Sequence, residues 1–326
     1  MSTTRCSSAR ARTGVDWREL AAAQTERFRV DMHALGIIPP DHYIAVTERI
    51  DRIAAAVRVL ADNGTAYPID GDYYFDSAAA ERVTPWRLGE ESNYDRARML
   101  ALSAERGGDP DRPGKRDPLD PMLWRAAREG EPSWPSVVGP GRPGWHIECS
   151  VIAAEFLALP LTVNGGGTDL IFPHHEFTAG HTTALTGRRH ASIYSHTGLV
   201  AYRGEKMSKS LGNLVFVSDL IAGGVDARAI RLAIFSQWYR DDWEWTDSIL
   251  ENAIERLGSW SAWAANPSGD GSGGDSGALT ATLRSVLARD LDTPAALRIV
   301  DDAIASGARA TTDDLAAIQA LLGIRL

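Results

Sequence analysis

The string G-W-H-I-E-C-S at residues 144–150, with G-G-G-T-D-L-I-F-P-H-H-E at residues 165–176, decides how this chain is read. It sets one thiol, Cys149, and one imidazole, His174, in a short span. Those two donor types can share a zinc ion. Between them Gly165, Gly166 and Gly167 lead into Asp169. Glycines let a nucleotide approach the backbone, and a carboxylate just after them can hold a ribose diol. A third element, K-M-S-K-S at residues 206–210, lies between Gly204 and Gly212. Lys206 and Lys209, with Met207, Ser208 and Ser210, suit a mobile clamp for a polyphosphate. Together the three strings point to ATP-dependent activation of a small substrate whose thiol is read by zinc, with Mg²⁺ accompanying the ATP.

Each string has a plainer reading. A single cysteine is more often a small buried hydrophobe than a ligand. A single histidine is more often satisfied in a core or at a surface, a glycine triplet is usually a loop, and lysines are usually solvated. Trp145 and His146 read as core packing, or Trp145 as the wall of a small substrate pocket. Catalytic zinc commonly takes three protein ligands. His175, Glu176, His181 and Cys6 are the candidates for the third, and the sequence singles out none of them.

The 326 residues, 44% of them hydrophobic, suffice for two or three packed units. No apolar run reaches the roughly 18 residues a membrane span needs. Residues 1–12 are rich in Ser, Thr and Arg without an apolar stretch, unlike a secretory signal. Two cysteines, Cys6 and Cys149, make no disulfide framework and suggest a reducing cytoplasm. A net charge of −9 disfavours a long nucleic-acid partner. The expected partners are small molecules, and the expected state is a monomer.

Apolar spacing predicts helices over 15–35 and 43–63. Residues 66–76 read as a hairpin turning at Asp70-Gly71. Residues 105–143, rich in Gly, Pro, Asp and Arg, read as irregular. A strand is expected to end at 162–164, where the glycines punctuate it. Helices follow over 174–186 and 227–238. Residues 264–277 have linker composition, and two or three helices over 278–306 and 312–322 close the chain. The division is a helical remnant of a catalytic core (1–63), an inserted connective region (64–143), and a nucleotide-binding half with the zinc site (144–205). The K-M-S-K-S loop and a helical stem (206–263), the linker (264–277) and a terminal helical unit (278–326) complete it.

With E-G-E-P-S-W-P-S at 129–136 ahead of them, these strings resemble the class I cysteinyl-tRNA synthetase family from Gly14 to about Trp245. The resemblance implies an α/β fold with a Rossmann-like core, an insertion and C-terminal helices. It also implies that Cys149 and His174 bind zinc and that Trp145 lines a cysteine pocket. Gly165, Gly166, Gly167 and Asp169 then hold the adenylate, and Lys206 and Lys209 the ATP phosphates. Two departures point to a cysteine–amine ligase branch that serves mycothiol biosynthesis and uses L-cysteine, ATP and glucosaminyl-inositol. Thr178 stands where synthetases carry a second Glu, and only a short helical segment follows the linker. A cysteinyl-tRNA synthetase fragment and a catalytically dead fragment are the alternatives. A third departure is that the family's upstream zinc Cys and H-x-G-H motif are not found, so the core reads as partial, with its N-terminal half missing. Residues 1–10 can be encoded so that a one-base shift gives D-V-D-D-P-L-F-E-R-A, the family's usual segment here. Residues 1–12 are accordingly expected to be an out-of-frame reading of a longer gene, and the chain alone is expected to be poorly active.

Overall fold

The computed structural model describes residues 16–207, 211–265, 267 and 277–326. Cys6, Ser208, Lys209, Ser210, the N-terminal segment at 1–12 and most of the 264–277 linker lie outside the described residues. Two compact units divide the chain: Met1–Ala21 with Pro40–His196, and Ala22–Pro39 with Thr197–Leu326. Helix α1, Trp17–Ala34, contributes residues to both.

In the first unit, helix α2 (Ile50–Asp62) follows a short turn at Val46–Glu48, so it begins later than the expected 43. Ile50, Ile53, Ala54, Val57 and Leu60 recur at helical spacing and are all buried. Strands β1 (Ala66–Ile69) and β2 (Asp72–Phe75) form the expected hairpin. Its turn needs left-handed backbone at both central residues, and Asp70 (φ 49°) and Gly71 (φ 86°) provide it.

Helices α3 (Ser77–Val83) and α4 (Arg96–Glu105) come next, each capped by an Asp side chain that accepts a backbone N–H. The sheet then grows by β3 (Met122–Ala126) and β4 (Gly141–Pro143), in the antiparallel order β1-β2-β3-β4. Residues 105–143 are therefore not irregular throughout, because two strands of the sheet lie within them. Leu119, Leu123 and Trp124 are wholly or almost wholly buried in the main core with Phe75, Ile147 and Phe177.

The charges that made this stretch look like a loop are paired. The buried carboxylate of Asp72 takes Arg112 and Arg128, each at 3.0 Å, and accepts the Ala126 N–H at 2.8 Å. Lys115 meets Asp109, Arg116 meets Asp76, and Glu131 meets Arg125 and Arg142. A buried charge is tolerated only when paired and hydrogen-bonded.

Helix α5 (Trp145–Phe156) carries the first motif, and strand β5 (Leu161–Gly167) runs through the glycine triplet instead of ending before it. One turn at Thr168–Leu170 and a wider one at Ile171–His175 lead into α6 (Glu176–Thr186). Strand β6 (Ala191–Thr197) pairs with β5. Helices α5 and α6 pack on each other and on α2.

In the second unit, β7 (Val200–Tyr202) pairs antiparallel with β8 (Glu205–Lys206) and parallel with β9 (Trp243–Trp245). Helices α7 (Val217–Ala222), α8 (Ala227–Phe235) and α9 (Asp247–Ala264) are followed by α10 (Ala278–Leu287), α11 (Thr293–Ala305) and α12 (Thr312–Leu322). The terminal helices do not stand alone. Leu283, Leu297, Val300 and Ile318 share a core with Ile230, Leu232 and Trp260. The Trp260 indole donates to Asp301 at 2.8 Å. Among the described residues, no helix is long and apolar enough to cross a membrane.

Candidate functional site

The first motif begins at Gly144, whose N–H donates to the Leu123 carbonyl on β3 at 2.8 Å. That contact fixes where α5 starts. Its first turn presents Trp145 and His146, and Cys149 follows one turn later. The second motif places His174 and His175 at the entrance to α6. The Ser150 hydroxyl joins the helices at this level, and the Thr178 hydroxyl approaches His146 O on α5 at 3.4 Å. Ser150 on α5 donates to Thr178 O at 3.1 Å, with His146 O as its alternative acceptor at 3.2 Å. Thr178 on α6 donates to His174 O at 2.7 Å. Thr178 is buried, and its hydroxyl donates to the carbonyl one turn back in its own segment.

This packing brings Trp145 over His174, ring centroids 4.8 Å apart, while Trp145 keeps 45% exposure. An indole held this way is a wall with one open face. Nδ1 of His146 lies 3.1 Å from Nδ1 of His174. Desolvation lowers the His174 pKa to about 4, and it holds His146 well below its ordinary value with help from His174 and His181. Both rings are therefore neutral near pH 7, the form in which a histidine ligates. Cys149 is exposed, yet desolvation by the surrounding protein, together with the adjacent Glu148 carboxylate, pushes its thiol up to about 11.

The nucleotide-loop residues lie in the same unit. A Cβ on Gly166 would sit 2.9 Å from His175 Cε1 and from Leu170 Cδ1, so only glycine leaves the His175 ring its place. His175 Nδ1 is in turn 2.8 Å from His196 Nε2 on β6. Asp169 stands in the turn after β5, and Arg106 donates to its backbone carbonyl at 2.6 Å and to that of Phe172. From the sequence His146 had only a packing role, and nothing there pointed to His196 or Arg106. Lys206 belongs to the other unit, exposed at the end of β8 opposite Ala201, and Met207 follows it against that unit's core.

Of the described candidates for a third metal ligand, His175 and Glu176 are engaged, and His181 is buried with neither ring nitrogen hydrogen-bonded. His175 is engaged with His196. The buried Glu176 carboxylate accepts Gly89 N–H at 3.0 Å and Ser92 N–H at 2.8 Å. His181 is fully buried, its ring edge-on to Phe75 at 4.6 Å. Among the described residues no group of three His, Cys, Asp or Glu side chains could hold a metal ion. Cys149 and His174 match zinc by donor chemistry, and no described side chain supplies a third ligand with them.

The loop anchored by Glu176 also carries Glu91. Burial raises the Glu91 pKa to about 7; Arg189, 3.9 Å away, opposes the rise, and Glu176 and Glu90 add to it. Burial pushes the Tyr194 hydroxyl's pKa up, and the Glu91 charge adds to the rise. A carboxyl whose folded pKa is raised penalises the fold fully above pH 7. The penalty is relieved as pH falls through 7 toward the ordinary value of 4.5. Glu91→Gln is expected to stabilise the protein by roughly 2 kcal/mol at pH 8 and by little at pH 5. Urea unfolding of both proteins at the two pH values measures this; an equal difference at both refutes it.

The sequence profile of the tRNA synthetases class I (C) catalytic domain matches residues 7–255. The L-cysteine:1D-myo-inositol 2-amino-2-deoxy-alpha-D-glucopyranoside ligase of Clavibacter michiganensis subsp. michiganensis is 59% identical over 324 residues, which cover 96% of this chain and 76% of that protein. The ligase of the same name from Streptomyces avermitilis is 53% identical, covering 97% of this chain and 77% of that protein. Among solved structures, Mycobacterium tuberculosis methionyl-tRNA synthetase in complex with methionyl-adenylate aligns with a TM-score of 0.58 and 16% identity. That alignment covers 98% of this chain and 72% of the other, a likeness of fold alone. The motif order, the α/β architecture and these matches agree: the chain belongs to the class I (C) tRNA-synthetase catalytic-domain family.

Proposed function

We propose that this chain makes cysteinyl-adenylate from L-cysteine and ATP and passes the cysteinyl group to the amine of glucosaminyl-inositol. The observation that carries this reading is the 59% and 53% identity, across nearly the whole chain, to two proteins named as that ligase. In the first step the cysteine carboxylate attacks the α-phosphorus, and pyrophosphate leaves. In the second the neutral sugar amine attacks the acyl carbon, AMP leaves, and the amine loses a proton. Positioning and charge neutralisation supply most of the acceleration in such transfers.

In this proposal Gly165, Gly166 and Gly167 let the adenylate approach β5, and Asp169 holds its ribose. Lys206 and Lys209 neutralise the phosphates, on a loop completed by Met207, Ser208 and Ser210. Trp145 covers the cysteine side chain. Zinc held by Cys149 and His174 would offer the substrate thiolate a bond that a serine hydroxyl does not match. The net charge of −9 favours a small acceptor over tRNA.

Substrate dependence is the test. ATP–pyrophosphate exchange should require cysteine and ignore serine. With glucosaminyl-inositol present, mass spectrometry should find the amide, and tRNA should remain uncharged. Exchange supported equally by serine, or charging of tRNA without amide, contradicts the proposal.

A further inference from the structure

We infer that Arg106 is a positioning residue for the nucleotide: from the end of α4, in the connective region, it clamps two carbonyls of the turn that carries Asp169 and so fixes where that residue stands. This rests on the proposed role of Asp169 at the ribose, but the clamp itself can be observed without a nucleotide.

The turn needs a donor from outside. Phe172 leaves helical geometry at φ −139° and ψ 138°, between the turn at Thr168–Leu170 and the end of the wider one at Ile171–His175. Pro173, four residues beyond Asp169, has no N–H to offer the Asp169 carbonyl. The Glu176 N–H, four residues beyond Phe172, goes to Pro173 O. A carbonyl withdrawn from water without a donor is costly. Arg106 Nη1 carries two hydrogens and spends one on each, on Asp169 O at 2.6 Å and on Phe172 O. The direction of both bonds is fixed, because a guanidinium only donates and a carbonyl only accepts.

The two carbonyls differ in what holds them otherwise. Phe172 is fully buried, its ring packed on Phe177 with centroids 5.6 Å apart. Asp169 is only half-buried. One nitrogen therefore ties the looser end of the turn to an end locked in the core. Arg106 is itself held in place. Its N–H closes on Leu102 O, Gly107 takes the left-handed φ of 85°, and the Gly108 N–H returns to Ser103 O at 2.8 Å. This is the Schellman ending of a helix. A Cβ on Gly108 would lie 2.3 Å from Ser103 Oγ and 2.7 Å from Ser103 O. The string R-G-G at 106–108 thus stops α4 where the guanidinium meets the turn, and α4 packs on the wider turn.

The test compares wild type with Arg106→Met, which keeps the bulk and loses the donors, and Arg106→Lys, which keeps a charged donor. Hydrogen exchange of the nucleotide-free protein, read by mass spectrometry, should be roughly tenfold faster in the 165–172 peptide of Arg106→Met. The β3 peptide should be unchanged, and Arg106→Lys should lie nearer wild type. Equilibrium binding of ATP and of 2′,3′-dideoxy-ATP reads the functional half. Wild type should prefer ATP. Arg106→Met should lose roughly tenfold in ATP affinity and little for the dideoxy nucleotide. Asp169→Asn should behave alike, and adding Arg106→Met to it should weaken ATP no further. Unchanged exchange in the 165–172 peptide overturns the inference. So does an equal loss for both nucleotides in Arg106→Met, the mark of general damage to the fold. A wild type that treats the two nucleotides alike removes Asp169 from the ribose and overturns the functional half; faster exchange in Arg106→Met then leaves Arg106 as a clamp on the turn alone.

Discussion

Gly144→Ala is expected to destabilise the first unit by about 3 kcal/mol or more, the upper range for an overpacked interior. The reason is space, not conformation. Gly144 has φ −73° and ψ 154°, values any residue adopts. A Cβ there would lie 1.9 Å from the Met122 carbonyl oxygen and 2.8 Å from its carbon. Both are backbone atoms of β3, which cannot swing aside as a side chain can. The strand is pinned from the other side by its register with β2 and β4. The substitution must therefore push α5 off the sheet, carrying Trp145, His146 and Cys149 with it. Chemical denaturation followed by circular dichroism measures the loss; a change below about 1 kcal/mol, within the ordinary scatter of point mutations, would mean the close approach is misplaced.

Trp124→Ala is expected to cost about 3–5 kcal/mol, as truncations of a buried aromatic residue do. Trp124 has no exposed surface and lies opposite Tyr73 on one side and Pro143 on the other. It belongs to the main core together with Phe75, Leu123 and Ile147. If residues 105–143 were a dispensable connection, the same change would leave stability nearly untouched. Denaturant unfolding at a fixed pH separates the two outcomes.

Trp124 also shows where a sequence misleads. The sheet that holds it is split between a hairpin and a later stretch crowded with Arg, Asp, Gly and Pro. Those charges signalled a surface loop, but several of their partners lie far along the chain: Arg128 meets Asp72 and Arg116 meets Asp76. Pairing at that distance leaves no local pattern. Local signals, by contrast, read well. The apolar spacing of Ile50, Ile53, Val57 and Leu60 gave α2, and Asp70-Gly71 gave its hairpin. Local spacing also gave a helix from Ala227, which ends at Phe235 and not at 238, and two or three helices at the end of the chain, where three are found.

The site divides in the same way. Trp145, Cys149, His174 and Gly166 stood out because each lies in a compact motif. His146 was visible but had no assignable partner, since His174 lies 28 residues away and reaches it only through the packing of α5 on α6. His196, 21 residues from His175, was missed for the same reason. Thr178 was noticed as a departure from the synthetase pattern. Its hydroxyl bonds the His174 carbonyl one turn back, a local contact of a threonine in a helix.

Metal analysis of the purified protein beside Cys149→Ser bears most directly on a thiol-reading site built on Cys149 and His174. Zinc bound by the wild type and lost from Cys149→Ser, with a matching loss of preference for cysteine over serine in ATP–pyrophosphate exchange, is the expected result. Zinc content unchanged by the substitution contradicts the ligand role of Cys149.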